Sequence, residues 1–146
     1  MAIYHFHASI VRRKIKQNAV ERAAYIGRCA LTDLNTGTRY NSQSRGPALY
    51  RGTMIPENSP EWLQKLTKDI QSFWSLVEGC EARPDSRTAR EVEVALPHEL
   101  TEEQRVALLD DFVRDVLVNR SRGLVANWAI HPANPLGEKK IATPTS

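Results

Sequence analysis

The chain is poor in the features that mark secreted and membrane proteins. Only two cysteines occur among its 146 residues, Cys29 and Cys80. Their spacing contains no Cys-x-x-Cys pair, which excludes a disulfide framework and the common zinc patterns, so we expect reduced thiols. No apolar run approaches about 18 residues, and no charged-then-apolar leader opens the chain. These absences predict a cytoplasmic protein with no membrane span.

The net charge of the chain is also small, because 20 Lys and Arg residues nearly balance 17 Asp and Glu residues, which gives +3. The excess lies in the N-terminal third, where acids are few. A local excess of positive charge favours a phosphate-bearing partner, since each cation near a phosphate releases counterions. A solvated surface without a partner is an equal alternative on charge alone. The predicted nucleic-acid contacts are Arg12, Arg13, Lys14, Lys16, Arg22 and Arg28.

The composition, 41% hydrophobic and 25% charged, is that of a globular protein, and the length suits one domain. A short helix is predicted over residues 18–31, with Asn18 as N-cap and Glu21 at the third helical position. Alanines make up much of this helix, and Tyr25 is its only large reactive group. Tyr25 is therefore either a half-buried core aromatic or a hydroxyl nucleophile.

Strands alternate with helices along the rest of the chain. Apolar and polar residues alternate in several segments, while residues from Ser59 and from Thr101 show capping signals followed by helical periodicity. Pro132 begins a stretch rich in proline, glycine and lysine, which predicts a disordered tail over 132–146. The predicted strands cover residues 2–11, 32–40 as a hairpin, 50–55, 88–96 and 124–131.

This order predicts an α/β fold, a two-layer sandwich of a mostly antiparallel sheet with helices on one face. The other face would then carry imidazoles, carboxylates and an amide from three strands. Such a set near a basic surface is typical of a divalent-metal and phosphate site, although any alternating strand exposes some polar residues. The residues concerned are His5, His7, Glu91, Glu93, Asn127 and His131.

Six segments in order carry a resemblance to one family. They are Met-Ala-Ile-Tyr-His-Phe at 1–6, Ala-Ala-Tyr at 23–25, Leu-Thr-Asp at 31–33 with Thr-Gly at 36–37, Ile-Pro-Glu-Asn-Ser-Pro-Glu-Trp at 55–62, Ala-Arg-Glu-Val-Glu-Val-Ala-Leu-Pro at 89–97 and Ala-Ile-His at 129–131. Together they resemble the N-terminal relaxase domain of the MobA/MobL family of plasmid mobilisation proteins. The resemblance covers residues 1 to about 131.

The resemblance implies metal-dependent nicking of single-stranded DNA at an origin of transfer, with other mobilisation proteins as further partners. Tyr25 would attack a phosphodiester and leave a 5′-phosphotyrosine and a free 3′-hydroxyl. His131 matches the family's first metal histidine, for Mg²⁺ or Mn²⁺. Glu91 and Glu93 match an acidic strand beside the site, where one could orient a metal ligand or accept the tyrosine proton.

The chain departs from the family pattern after His131. The family continues into a strand with a His-hydrophobe-His pair, and neither of those histidines is present here. The expected domain is therefore 1–131, incomplete at its C-terminal end. Two further readings stay open: a noncatalytic single-stranded-DNA-binding remnant of such a domain, and an unrelated α/β domain in which Tyr25 and the acids are structural.

Overall fold

The structure, a computed structural model, describes residues 6–12, 15–81, 83–97, 99–119, 124–132 and 140–144. Within these ranges the strands are β1 (Phe6–Arg12), β2 (Ala30–Thr32), β3 (Arg39–Asn41), β4 (Tyr50–Met54), β5 (Arg87–Val94), β6 (Ala126–Ile130) and β7 (Lys140–Pro144). The helices are α1 (Ala19–Gly27), α2 (Glu61–Leu66), α3 (Ile70–Gly79) and α4 (Glu102–Phe112), with a 3₁₀ turn at Gln43–Arg45 and a π-helical segment at Val113–Asn119. No helix in these ranges is long and apolar enough to cross a bilayer.

Five strands form one sheet in the order β1-β5-β7-β6-β4, and every neighbouring pair is antiparallel. β2 and β3 form a separate hairpin. Its turn is closed by the backbone N–H groups of Thr36 and Gly37, which donate to the carbonyl of Asp33. Gly37 has a φ of 75°, a conformation that glycine adopts without steric cost. The predicted hairpin, the mostly antiparallel sheet and the mixed α/β class are confirmed.

β7 corrects the prediction that the chain is disordered from residue 132 onward. This strand of five residues lies between β5 and β6. Its Ile141 is paired with Val92 of β5 on one side and with Trp128 of β6 on the other. A strand in this position pairs its backbone on both edges, and that gain does not require an alternating side-chain pattern. The proline-rich composition therefore misled the prediction. The predicted tail residues 133–139 and 145–146 lie outside the described residues.

Helices cover both faces of the sheet, where the sequence led us to expect them on one. Because successive side chains of a strand point to opposite faces, Val92 and Ala89 of β5 lie on opposite sides. One core includes Val92, Val94, Leu109, Val113, Ala126 and Trp128, which places α4 on that face. The other core includes Val11, Val20, Ala23, Ile26, Trp74, Ala89 and Ala129, which places α1 and α3 on the opposite face.

The helix predicted from Ser59 is divided into α2 and α3. The hydroxyl of Thr67 bonds back to the carbonyl of Leu63 at 2.9 Å, and Asp69 then caps α3 by accepting from the backbone of Gln71 and Ser72. A side chain that satisfies backbone groups locally favours a helix end over its continuation. The predicted capping box at Thr101 is confirmed, with Gln104 as the reciprocal partner at the start of α4.

Candidate tyrosine site and nucleic-acid interface

α1 begins where the sequence predicts it. The side-chain oxygen of Asn18 accepts from the backbone of Val20 at 2.7 Å and of Glu21 at 3.3 Å. A second acceptor comes from α3, where Glu78 Oε2 accepts from Ala19 N at 2.9 Å. Glu78 is buried, and its negative charge lies at the positive end of the α1 dipole. These contacts fix the start and orientation of the helix that carries Tyr25.

The alanines of α1 allow the helix to lie close to the sheet. Ala19, Ala23 and Ala24 are each at most 1% exposed, and Val20 and Ile26 are fully buried. Small side chains permit a close backbone approach to the sheet. Arg22 and Tyr25 are half-buried beside this face; they are three residues apart and therefore adjacent on the helix surface, with Arg28 at the C-cap.

Three guanidinium groups surround the half-buried ring of Tyr25. The Cζ atoms of Arg22, Arg45 and Arg28 lie 4.6, 4.8 and 5.3 Å from the ring centroid. Arg22 and Arg28 come from α1, while Arg45 comes from the 3₁₀ turn that follows β3. These distances are those of cation–π contacts. Three cations around one phenol create a local positive field that attracts phosphate and stabilises the charge of a phosphoryl transition state.

Arg22 is held in place by Glu91. Arg22 Nε donates to Glu91 Oε1 at 2.7 Å and Nη2 donates to Oε2 at 3.2 Å, a two-point pair between α1 and β5. Burial opposes the charge of Arg22, but the hydrogen bonds and charge of Glu91 outweigh it and raise the pKa of the guanidinium above its ordinary value. Glu91 was expected to project outward from an open sheet. Its side chain is only 14% exposed, because α1 packs over that face.

His131 contacts two groups of α1 through its two ring nitrogens. Nε2 lies 2.6 Å from the carbonyl oxygen of Ile26, and Nδ1 lies 3.3 Å from Nη2 of Arg28. A carbonyl only accepts and a guanidinium only donates, so Nε2 carries the proton and Nδ1 offers its lone pair to Arg28. The side chain is buried. The imidazole therefore bridges the Ile26 carbonyl and the Arg28 guanidinium.

This arrangement does not fit the expected role of His131 as a metal ligand. Metal coordination needs a free nitrogen lone pair, and the lone pair of Nδ1 is directed at a positively charged guanidinium that would repel a divalent ion. In the part of the chain that the structure describes, no group of three or more His, Cys, Asp or Glu side chains is placed to hold a metal ion. The structure gives His131 a contact with α1 instead.

The other residues predicted on the polar sheet face differ in their surroundings. Glu93 lies on the same face as Glu91, opposite His7 of β1, and is half-buried. Asn127 is buried and donates to the carbonyl of Gly52 and the hydroxyl of Thr53, so its amide is structural. His5 lies outside the described residues. A proton-acceptor role for Glu91 or Glu93 stays a prediction.

The predicted DNA contacts fall into two groups. Arg22 and Arg28 flank Tyr25, whereas Arg12 and Lys16 are exposed on the N-terminal side of α1. Arg12 shares a groove with Glu81, Arg83, Asp85 and Arg87, so positive charge is in excess there. Lys16 shares another groove with Asp33, Glu78 and Glu81, and these acids offset its attraction for phosphate. Arg13 and Lys14 lie outside the described residues. DNA contact by all six stays a prediction.

Sequence reasoning missed Arg45 as a member of the site. It lies 20 positions after Tyr25 and was noted only as part of the basic N-terminal third. Nothing in its local pattern distinguishes it from Arg39 or Arg51. Only the return of the chain through the β2–β3 hairpin brings Arg45 over the ring. The anchoring roles of Glu78 and of the Ile26 carbonyl were missed for the same reason.

The chain is similar in sequence to proteins of conjugal DNA transfer. The MobA/MobL family model matches residues 17–141, and the chain belongs to that family. It is 38% identical over 144 residues to the conjugal transfer protein TraA of Agrobacterium fabrum, covering 92% of this chain and 13% of TraA. It is 33% identical over 141 residues to the mobilization protein MobL of Acidithiobacillus ferridurans, covering 97% of this chain and 35% of MobL.

A solved structure has the same fold. It was reported as "Molecular Basis of Vancomycin Resistance Transfer in Staphylococcus aureus", and it superposes with a TM-score of 0.81 at 22% identity. The superposition covers 98% of this chain and 69% of the other. The chain thus spans only a small part of the TraA and MobL relatives, and most of the solved chain.

Proposed function

We propose that this chain is the DNA-processing domain of a conjugal mobilisation protein, which binds single-stranded DNA and uses Tyr25 as its nucleophile. Membership of the MobA/MobL family and the names of the relatives support a role in conjugal transfer. The observation that carries the proposal is the placement of Arg22, Arg28 and Arg45 around the Tyr25 ring. Positive charge beside a tyrosine hydroxyl is an arrangement suited to binding and attacking a phosphodiester.

The proposed reaction is a transesterification. The hydroxyl oxygen of Tyr25 attacks the phosphorus of the scissile phosphodiester, and a Tyr–O–P bond forms as the P–O3′ bond breaks. The proton lost by tyrosine is balanced by the proton that the leaving 3′-oxygen gains. The products are a 5′-phosphotyrosine and a free 3′-hydroxyl, and attack by that hydroxyl reverses the step. The positive charge beside Tyr25 attracts the non-bridging oxygens, on which negative charge increases in the transition state.

A second candidate function is DNA binding without cleavage. The hydrogen bonds of His131 favour it, because they leave this histidine unsuited to the metal that the family resemblance implies. If the reaction needs that metal, the domain would keep the arginine surface and lose the chemistry.

Intact-mass spectrometry tests the two candidates. The protein is incubated with single-stranded DNA carrying the cognate transfer origin, and the adduct is mapped by proteolysis. We expect a covalent adduct at Tyr25 that Tyr25→Phe abolishes, while DNA affinity stays within about threefold of wild type, since the ring and its cation contacts remain. Tyr40→Phe is the matched control, because Tyr40 is also half-buried but lies in the β2–β3 hairpin.

The outcomes separate the readings. An adduct that persists in Tyr25→Phe contradicts the assigned nucleophile. DNA binding without any adduct, by a folded wild-type protein, supports the second candidate. Absence of both, in a folded protein at low salt, leaves the domain with neither function and rejects the proposal.

A further inference from the structure

We propose that Arg28, held by His131, is the phosphate-binding cation of the Tyr25 site, and that it takes the place of the divalent metal implied by the family resemblance. DNA binding and the proposed strand transfer would then proceed without a divalent ion. This inference rests on the proposed function, and it assigns to His131 the role of a positioning residue.

The backbone of Arg28 has an unusual conformation for its residue type. Arg28 is the C-cap of α1 and has φ 53° and ψ 44°, in the left-handed region. Helices commonly end in this conformation, but glycine usually supplies it, and a residue with a Cβ adopts it at a cost of order 1 kcal/mol. At this C-cap the side chain of Arg28 contacts His131 and the Tyr25 ring.

The contacts of His131 hold the side chain of Arg28 in place. The Ile26 carbonyl holds the Nε2–H of the buried imidazole at 2.6 Å, and Nδ1 then accepts from Arg28 Nη2 at 3.3 Å. A guanidinium has five N–H donors, so this contact leaves others for a ligand. The Cζ atom of Arg28 is at the same time 5.3 Å from the Tyr25 ring centroid. The cation is thereby placed next to the nucleophile by a chain of hydrogen bonds.

The charges of the partners distinguish Arg28 from Arg22. Glu91 neutralises Arg22 through a two-point ion pair, so the pair has little net charge. The contact that Arg28 makes with His131 is with an imidazole and not with a carboxylate. A phosphodiester is attracted to net charge. Of the two arginines that α1 contributes, Arg28 is therefore the one available to bind phosphate.

Binding measurements test this without depending on catalysis. A mixed-sequence single-stranded oligonucleotide is titrated at several salt concentrations, in EDTA and in Mn²⁺. We expect equal wild-type affinity in both conditions. Arg28→Ala should weaken binding about tenfold and reduce the magnitude of the salt slope by about 0.7, the value for one lost phosphate contact on a single strand. Arg114→Ala is the matched control, because Arg114 follows α4 on the opposite face of the sheet.

Substitutions at His131 test its positioning role. Glutamine can donate to the Ile26 carbonyl and accept from Arg28, so His131→Gln should keep the salt slope of the wild type, whereas His131→Leu should reduce it as Arg28→Ala does. Thermal unfolding of each variant reports folding separately. A fall in melting temperature with an unchanged salt slope for both Arg28→Ala and His131→Leu would make the contact merely structural and overturn the inference.

Measurements of metal binding test whether the site works without a divalent ion. Electron paramagnetic resonance should show no stoichiometric Mn²⁺ bound to the wild type, and the Tyr25 adduct should form equally in EDTA. Stoichiometric Mn²⁺ that His131→Gln releases, or an adduct that EDTA abolishes, would overturn the inference while leaving the proposed function intact. No DNA binding and no adduct in any condition would instead reject the proposed function itself.

Discussion

Arg22 and Glu91 join α1, the helix that carries Tyr25, to strand β5 through two hydrogen bonds of 2.7 and 3.2 Å. Both side chains are largely removed from water, with 23% and 14% exposure. Arg22 Cζ lies 4.6 Å from the Tyr25 ring centroid, so the pair both joins α1 to β5 and holds a cation beside the ring. Loss of either partner leaves a partly buried charge.

We expect Glu91→Gln to lower the free energy of unfolding by about 1–2 kcal/mol, since hydrogen bonds to charged groups contribute about that much and partial exposure limits the effect. Urea denaturation measures it. Glu57→Gln is the control, because Glu57 is an exposed acid in a turn. Equal stability of the two variants would mean that the ion pair does not stabilise the fold.

The N-cap of α1 gives a second prediction. Asn18 Oδ1 caps the helix while its Nδ2 donates to Asp33 Oδ2 at 3.1 Å. Asp and Ser both cap helices well in isolation. Here Asn18→Asp removes the donor and brings a second carboxylate against buried Asp33. We expect Asn18→Asp to destabilise the protein more than Asn18→Ser at pH 7, by urea denaturation. The opposite order would show that helix capping outweighs the contact with Asp33.

Arg45 offers a test of the arginine cluster that leaves α1 unchanged. Arg45 and Arg39 are both exposed and belong to the same basic segment, but only Arg45 lies over the Tyr25 ring. We expect Arg45→Ala to weaken binding of single-stranded DNA several-fold and to reduce the salt slope by about 0.7, while Arg39→Ala has a smaller effect. Fluorescence anisotropy at several salt concentrations measures both. Equal effects would indicate a diffuse basic surface without a site at Tyr25.

The two thiols should differ in reactivity. Burial raises the pKa of the Cys29 thiol, and the nearby Arg51 opposes this only in part. A raised pKa means less thiolate at a given pH, and the thiolate is the nucleophile. Iodoacetamide at pH 8 should therefore label exposed Cys80 first, and the rate at Cys29 should still increase well above pH 8.5, followed by peptide mass spectrometry. Faster labelling of Cys29 at pH 8 would contradict its burial.

Much of the local structure followed from the sequence. Asn18, Thr101 and the alternation around Val92 and Val94 predict helix starts and a strand that the structure confirms. These features depend on backbone hydrogen bonds and side-chain periodicity within a few residues, which sequence patterns report directly. The family resemblance, confirmed by the match over residues 17–141, likewise rests on local motifs in order.

The tertiary structure alone decided what the local patterns left open. β7 forms because β5 and β6 offer it two strand edges, a condition set by residues far away in the chain. Glu91 and His131, which alternate as outward-facing residues in the sequence, are covered because α1 packs on them. Arg45 meets Tyr25 only through the hairpin between them. Alternation specifies two faces of a strand, but the packing of other elements determines which face meets water and which partners a charge receives.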